Sequence, residues 1–153
     1  MIPVQGLNHA VLYVRDAARA ADFYRSMFGF ETVVEFPGAA FLRARGSQNH
    51  HDLGLFSVGP RAPGPEAGRV GLYHLAWEVG SVRDLRAARD TLREVGAYAG
   101  ESDHGATKSI YGHDPDGNEF EVMWMLPRDE WCAHEHDAAV APLDLDAEIA
   151  RHG

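Results

Sequence analysis

The chain has 153 residues, 45% hydrophobic and 24% charged, the composition of a soluble globular protein with room for one core or two small packed modules. Its formal net charge of −9 would repel a phosphate backbone, which excludes nucleic acid as the expected partner. No apolar run approaches the roughly 20 residues that span a bilayer, which excludes a membrane helix, and the Met-Ile-Pro-Val-Gln-Gly start lacks the basic and apolar regions of a signal peptide.

The first element is a strand over Leu7–Val14, with His9, Val11 and Tyr13 on one face and Ala10, Leu12 and Val14 on the other. Asp16 caps a helix whose apolar stripe is Ala20, Phe23, Tyr24, Met27 and Phe28, and Gly29 ends it. Strands are expected over Glu31–Phe36, Ala39–Ala44 and Asp52–Val58, with turn chemistry in Ser47-Gln48-Asn49. Gly59 to Gly68 holds three prolines and three glycines and reads as a linker.

The same order then recurs. Tyr73–Val79 is a strand with His74, Ala76 and Glu78 on one face and Leu75, Trp77 and Val79 on the other. Ser81 and Asp84 form a variant capping box. The helix that follows buries Val82, Leu85, Ala88, Leu92 and Val95, and Gly96 ends it. Its arginines lie at helical spacing beside Asp84, Asp90 and Glu94, a solvated face rather than a binding patch. Strands fit Tyr98–Glu101, Lys108–His113 and Glu119–Met125, with Asp116-Gly117 as a hairpin turn. Pro142–Ile149 suggests a short terminal helix. It could cap a cavity, cover a sheet edge or join an interface between copies. His113, His134, His136 and His152 are expected at the surface. Cys132 is the single cysteine; it allows no intrachain disulfide, fits a reducing cytoplasm and has no base beside it to make it a nucleophile.

The expected fold class is therefore α+β. One domain over 1–153 would hold two tandem βαβββ modules, about 5–59 and 69–126, followed by a tail and short helix over 127–153. The modules would form a curved, partly open mixed sheet around a metal site, helices outside.

The metal site comes from the repeat. Gly6-Leu7-Asn8-His9 recurs as Gly71-Leu72-Tyr73-His74, an offset of 65 residues (74 − 9). The run Asp114-Pro115-Asp116-Gly117-Asn118-Glu119-Phe120-Glu121 ends in a carboxylate. Strand parity puts His9, His74 and Glu121 opposite the helix side, where Phe120, Val122 and Trp124 fall. Two imidazoles and one carboxylate can occupy one face of an octahedral metal and leave three positions open, as in non-haem Fe(II) oxygenases. The first-module counterpart of Glu121 falls at Leu55 or Phe56. Neither binds a metal, so a three-ligand site is expected.

These features resemble the vicinal oxygen chelate superfamily, which includes glyoxalase I, fosfomycin-resistance proteins, bleomycin-binding proteins and extradiol ring-cleaving dioxygenases. The resemblance covers roughly residues 5–126. His50-His51-Asp52-Leu53-Gly54-Leu55 and Ser102-Asp103-His104-Gly105-Ala106-Thr107-Lys108-Ser109-Ile110-Tyr111 resemble the single-domain extradiol, catechol 2,3-dioxygenase-type enzymes more narrowly. By that resemblance His9, His74 and Glu121 would hold iron as Fe(II), with Mn(II) the alternative. His51 would be the acid–base residue, preferred over its neighbour His50. Tyr111 would hydrogen-bond a substrate oxygen, with His104 behind it. His50, Val11, Tyr13, Phe56 and Met123 would line the pocket. The implied substrates are a small aromatic diol and O2, and a homo-oligomer is compatible. The competing readings are another metal-dependent enzyme of the superfamily (lyase, isomerase or thiol transferase) and a non-enzymatic binding protein. A glyoxalase normally wants a second carboxylate at the 55–56 position. A binding protein needs no metal ligands.

Overall fold

A computed structural model describes residues 1–134, 136 and 139–153; the side chains of residues 132 and 133 lie outside that description, and with them the reading of Cys132. The chain divides into two compact units, Met1–Pro65 and Glu66–Gly153, and the division falls within the Pro/Gly-rich stretch.

The first unit runs β1 (Ala10–Val14), α1 (Ala17–Phe28), β2 (Glu31–Phe36), β3 (Ala39–Arg43) and β4 (Leu53–Ser57). Its sheet has the order β1-β4-β3-β2, with β1 parallel to β4 and the other pairs antiparallel. Asp16 caps α1 by accepting from the Ala18 and Arg19 N–H groups, and Gly29 ends it at φ 65°. The core lies between α1 (Ala17, Ala20, Ala21, Tyr24) and one face of the sheet (Leu12, Val14, Leu42, Leu53, Leu55). Val11 and Tyr13 alternate onto the other face and are 50% and 76% exposed, as the period-two pattern requires.

The second unit repeats this with β5 (His74–Glu78), α2 (Val82–Glu94), β6 (Tyr98–Asp103), β7 (Thr107–His113) and β8 (Glu119–Met125), in sheet order β5-β8-β7-β6. Again the first and last strands are parallel. Ser81 caps α2 by accepting from the Asp84 N–H, and its own hydroxyl donates to the Asp84 carboxylate. Val82, Leu85 and Leu92 meet Ile110, Phe120 and Val122 in the core. A 3-10 turn over Arg128–Ala133 and a helix α3 (Leu145–His152) follow, and α3 packs on α2. Both units carry a register irregularity on the edge strand after the helix, at Thr32/Val34 in β2 and Tyr98/Gly100 in β6.

The two βαβββ modules are thus as expected, with differences at the ends of elements. β1 begins at Ala10, not Leu7, because its first bond to β4's chain is Ala10 N–H to the Asp52 carbonyl at 2.9 Å. Val95 is 51% exposed and leaves the buried stripe of α2, since the helix stops at Glu94 and Gly96 turns the chain at φ 72°. His113 and His136 are exposed as expected. His134 and His152 are not. His134 lies over Gly105, where an added Cβ would meet its ring at 2.7 Å. The His152 side chain is 8% exposed, packed on Trp124 with ring centroids 5.2 Å apart. The tail folds back on the second unit, so its polar sequence does not translate into solvation.

Candidate metal centre

In the second unit the Asp-Pro-Asp-Gly-Asn run sets the register that aims Glu121. Asp114 is buried and accepts from the Asp116 and Asn118 N–H groups at 2.8 and 2.9 Å and from the Asn118 side-chain amide at 2.9 Å. Gly117 completes the turn at φ 89°. The resulting hairpin places Tyr111 directly opposite Glu121, and the parallel β5–β8 pair brings His74 alongside.

The His74 Nε2 to Glu121 Oε2 distance is 3.0 Å, with both side chains mostly buried. Two donors bound at about 2.1 Å and at right angles around a metal lie about 3 Å apart. The opposite nitrogen, Nδ1, is buried and 3.4 Å from Glu119 Oε1. An imidazole nitrogen and a carboxylate oxygen at this separation are a donor pair that a divalent cation can bridge once Nε2 is unprotonated. Ser109 donates a short hydrogen bond to the other Glu121 oxygen. This is the pattern of metal-binding side chains held by outer partners, and the residues present fit a divalent ion.

Tyr111 and His104 adjoin the pair. The Tyr111 ring lies 5.7 Å from that of His74, and its hydroxyl is 2.7 Å from His104 Nε2. Burial, reinforced by the Glu121 carboxylate, pushes the phenol's pKa up, so it stays a neutral hydroxyl at neutral pH. Met123 lies two residues beyond Glu121, buried and opposite Ser109.

In the first unit His9 immediately precedes β1, and its ring stands 4.5 Å from that of His51. His9 Nδ1 is 2.8 Å from Asn8 Oδ1; an amide oxygen accepts, so Nδ1 carries the proton and Nε2 keeps its lone pair. Asn49 donates to the Asn8 carbonyl and to Asp52, both at 2.8 Å, and so ties the loop before β4 to the segment before β1. His51 sits half-buried against Phe41, centroids 5.1 Å apart, while His50 is exposed and meets His51 only at its Nδ1, at 3.1 Å. Burial, then the neighbouring His9 and His50, lowers the His51 pKa, which keeps it a neutral base. Phe41 also contacts Phe56 edge-on at 5.7 Å. Gly54 leaves the gap between Val11 and Phe41, its added Cβ falling 3.3 Å from the valine.

Among the described residues no group of three or more His, Cys, Asp or Glu side chains stands ready to hold a metal. The structure brings His74 to Glu121, Tyr111 to His104, and His9 to His51. Asn8, Ser109 and Glu119 are the partners that sequence reasoning missed. Glu119 carries a visible signal, since it lies two residues before Glu121 and alternation sets both on one face.

A family model described as the Glyoxalase/Bleomycin resistance protein/Dioxygenase superfamily matches residues 6–122. The chain belongs to this superfamily. Catechol-2,3-dioxygenase of Bacillus subtilis (strain 168) is 32% identical over 126 residues, 82% of this chain and 43% of that protein. Biphenyl-2,3-diol 1,2-dioxygenase 3 of Rhodococcus globerulus is 34% identical over 119 residues, 76% of this chain and 62% of that one. The chain therefore spans about half the length of these superfamily relatives. Among solved structures, the fosfomycin resistance protein FosX of Listeria monocytogenes, complexed with Mn(II) and sulfate, superposes with a TM-score of 0.63 over 84% of this chain and 96% of that one at 18% identity. That likeness speaks for the fold alone.

Proposed function

We propose that the protein is an extradiol dioxygenase that opens a catecholic ring beside its diol with O2. His9, His74 and Glu121 are its metal ligands, and the metal is Fe(II), with Mn(II) able to use the same donors. The observation that carries this reading is the Tyr111–His104 hydrogen bond beside the His74–Glu121 pair. A metal pair alone would serve a lyase or a thiol transferase equally well. A half-buried, neutral phenol braced by a histidine is equipment for a substrate bearing a hydroxyl. The dioxygenase relatives support the same choice.

When bound, the metal would hold the two adjacent substrate oxygens and O2 and pass electron density between them. The chain supplies the rest. His51, neutral because burial lowers its pKa, accepts the proton that a catechol hydroxyl loses and returns it later at the oxygen end of the reaction. Tyr111 holds a substrate oxygen, and His104 fixes the direction of the phenol. Val11, Tyr13, Phe56 and Met123 offer apolar surface to the ring and keep water from the reacting atoms. His50, exposed, is left without a catalytic part.

Anaerobic reconstitution with Fe(II), followed by O2 uptake and product absorbance with a panel of catechols, tests the proposal. Uptake stoichiometric with a ring-opened product is expected, lost in Glu121→Ala. Iron-loaded protein that consumes no O2 with any catechol, yet isomerises a hemithioacetal or conjugates a thiol, overturns it in favour of the lyase or transferase chemistry of other superfamily members.

A further inference from the structure

The described residues of the C-terminal tail meet one turn of the second unit at three places. That turn, residues 103–107 between β6 and β7, carries His104. The Asp103 N–H donates to the Ala141 carbonyl at 2.8 Å and the Ala141 N–H donates to the Asp103 carbonyl at 2.9 Å, adding one rung to the outer edge of β6. His134 covers Gly105, which takes φ 77°. The Ala139 carbonyl lies 2.9 Å from His104 Nδ1. The far end of the tail is anchored as well. Leu145 is buried, Asp146 pairs with Arg86, and Glu148 faces the buried Lys108 at 3.6 Å. Lys108 in turn holds Asp103 at 2.7 Å and the Gly105 carbonyl at 3.1 Å. Tail and turn are thus one mechanical piece.

A backbone carbonyl can only accept a hydrogen bond. His104 Nδ1 must therefore carry the proton, and neutral His104 presents a bare lone pair at Nε2. Tyr111, 2.7 Å away, must then donate its hydroxyl proton to that lone pair. Its oxygen is then left with its lone pairs as an acceptor. We propose that Ala139, held by the Asp103–Ala141 rung, is a positioning residue: its carbonyl fixes the tautomer of His104 and so decides which way the Tyr111 hydroxyl points. Under the extradiol reading this makes Tyr111 the acceptor for a protonated substrate oxygen; the tautomer assignment itself does not depend on that reading.

The test is the side-chain nitrogen spectrum of His104 by NMR in the metal-free protein, at a pH well above the ordinary histidine pKa. The wild-type chain should show the Nδ1–H tautomer alone. Tyr111→Phe should leave it unchanged, because the carbonyl sets it. Ala141→Pro, which removes the N–H of the rung at an exposed position, should give a mixture of tautomers while circular dichroism and cooperative unfolding are kept. The Nε2–H tautomer in the wild type, or its appearance in Tyr111→Phe, overturns the proposal. So does a folded Ala141→Pro with an unchanged spectrum. Where Ala141→Pro does not fold, the wild-type and Tyr111→Phe spectra decide. In the active holoenzyme, Ala141→Pro should lower kcat about tenfold with little change in KM. A chain inactive on every catechol but with the expected spectra sinks the dioxygenase reading and leaves this one standing.

Discussion

Asp52 shows how one side chain can organise a candidate site without touching a substrate. Its carboxylate accepts from the Ala44 N–H, the Ser47 hydroxyl and the Asn49 amide, at 2.7–2.8 Å. Burial alone would raise its pKa, but these three donors outweigh it and hold the carboxyl below its ordinary value of 3.8. The folded state therefore favours the ionised form. The stabilisation is fully present above the unfolded carboxyl's pKa and is lost as the pH falls through the lower, folded one. Asp52→Asn should cost about 1–2 kcal/mol at neutral pH, with wild type and variant converging as the pH falls through the lowered, folded pKa of Asp52. Urea midpoints followed across pH check this; a gap that stays constant into acid would show that the charge is not what matters. Parity singled out His74 and Glu121 in the sequence, because alternation along a strand survives folding, while Tyr111 came only with the family resemblance. Asn8 and Asn49 were not legible. Asn49 read only as turn chemistry, and its bond to the Asn8 carbonyl joins residues 41 apart, a proximity that no local pattern encodes.

The decisive element is the β7–β8 hairpin. Its turn is closed by Asp114, and its register places Tyr111 opposite Glu121. A one-residue slip would move Glu121 to the helix side and a core residue to the metal side. Asp114→Ala removes three accepted hydrogen bonds and should destabilise the chain by about 2–3 kcal/mol. Metal affinity should fall about tenfold through Glu121. Denaturant unfolding and metal titration of the same variant measure the two effects, and full stability with unchanged affinity would rule out the turn as the register device. Hairpin and helix starts were legible from Asp116-Gly117, Asp16 and Ser81, since caps and tight turns depend on adjacent residues. The end of α2 was not: Val95 fits the apolar period but falls past the last helical residue. The tail escaped for a different reason. Its contacts with Gly105, Asp103 and Trp124 are tertiary, and its sequence is polar enough to suggest solvent.

For the molecule as a whole, the proposed ligand set is His9, in the first unit, with His74 and Glu121, in the second. Binding to the folded state alone stabilises it by about 2.7 kcal/mol at a metal concentration 100-fold above Kd, a rise in Tm of roughly 5–10 °C for a chain of this size. That gain should appear with Fe(II) or Mn(II) under argon and shrink sharply in His9→Ala, as scanning calorimetry would show. A gain of equal size in His9→Ala removes it from the ligand set. The family and the two-module plan were legible from the 65-residue offset, because duplication repeats caps, strands and histidines together.

The irregularities at Thr32/Val34 and Tyr98/Gly100 occupy matching places on one outer strand of each sheet, β2 and β6. An outer strand with a straight, unpaired ladder recruits strands from other chains, which ends in aggregation. A bulge breaks the ladder and twists the rest out of register with any flat partner. Each module thus has the ladder interrupted on one of its two sheet edges, β2 or β6. On β6 the straight remainder ends at Asp103, and there the chain's own tail takes the rung that a neighbouring molecule would otherwise find.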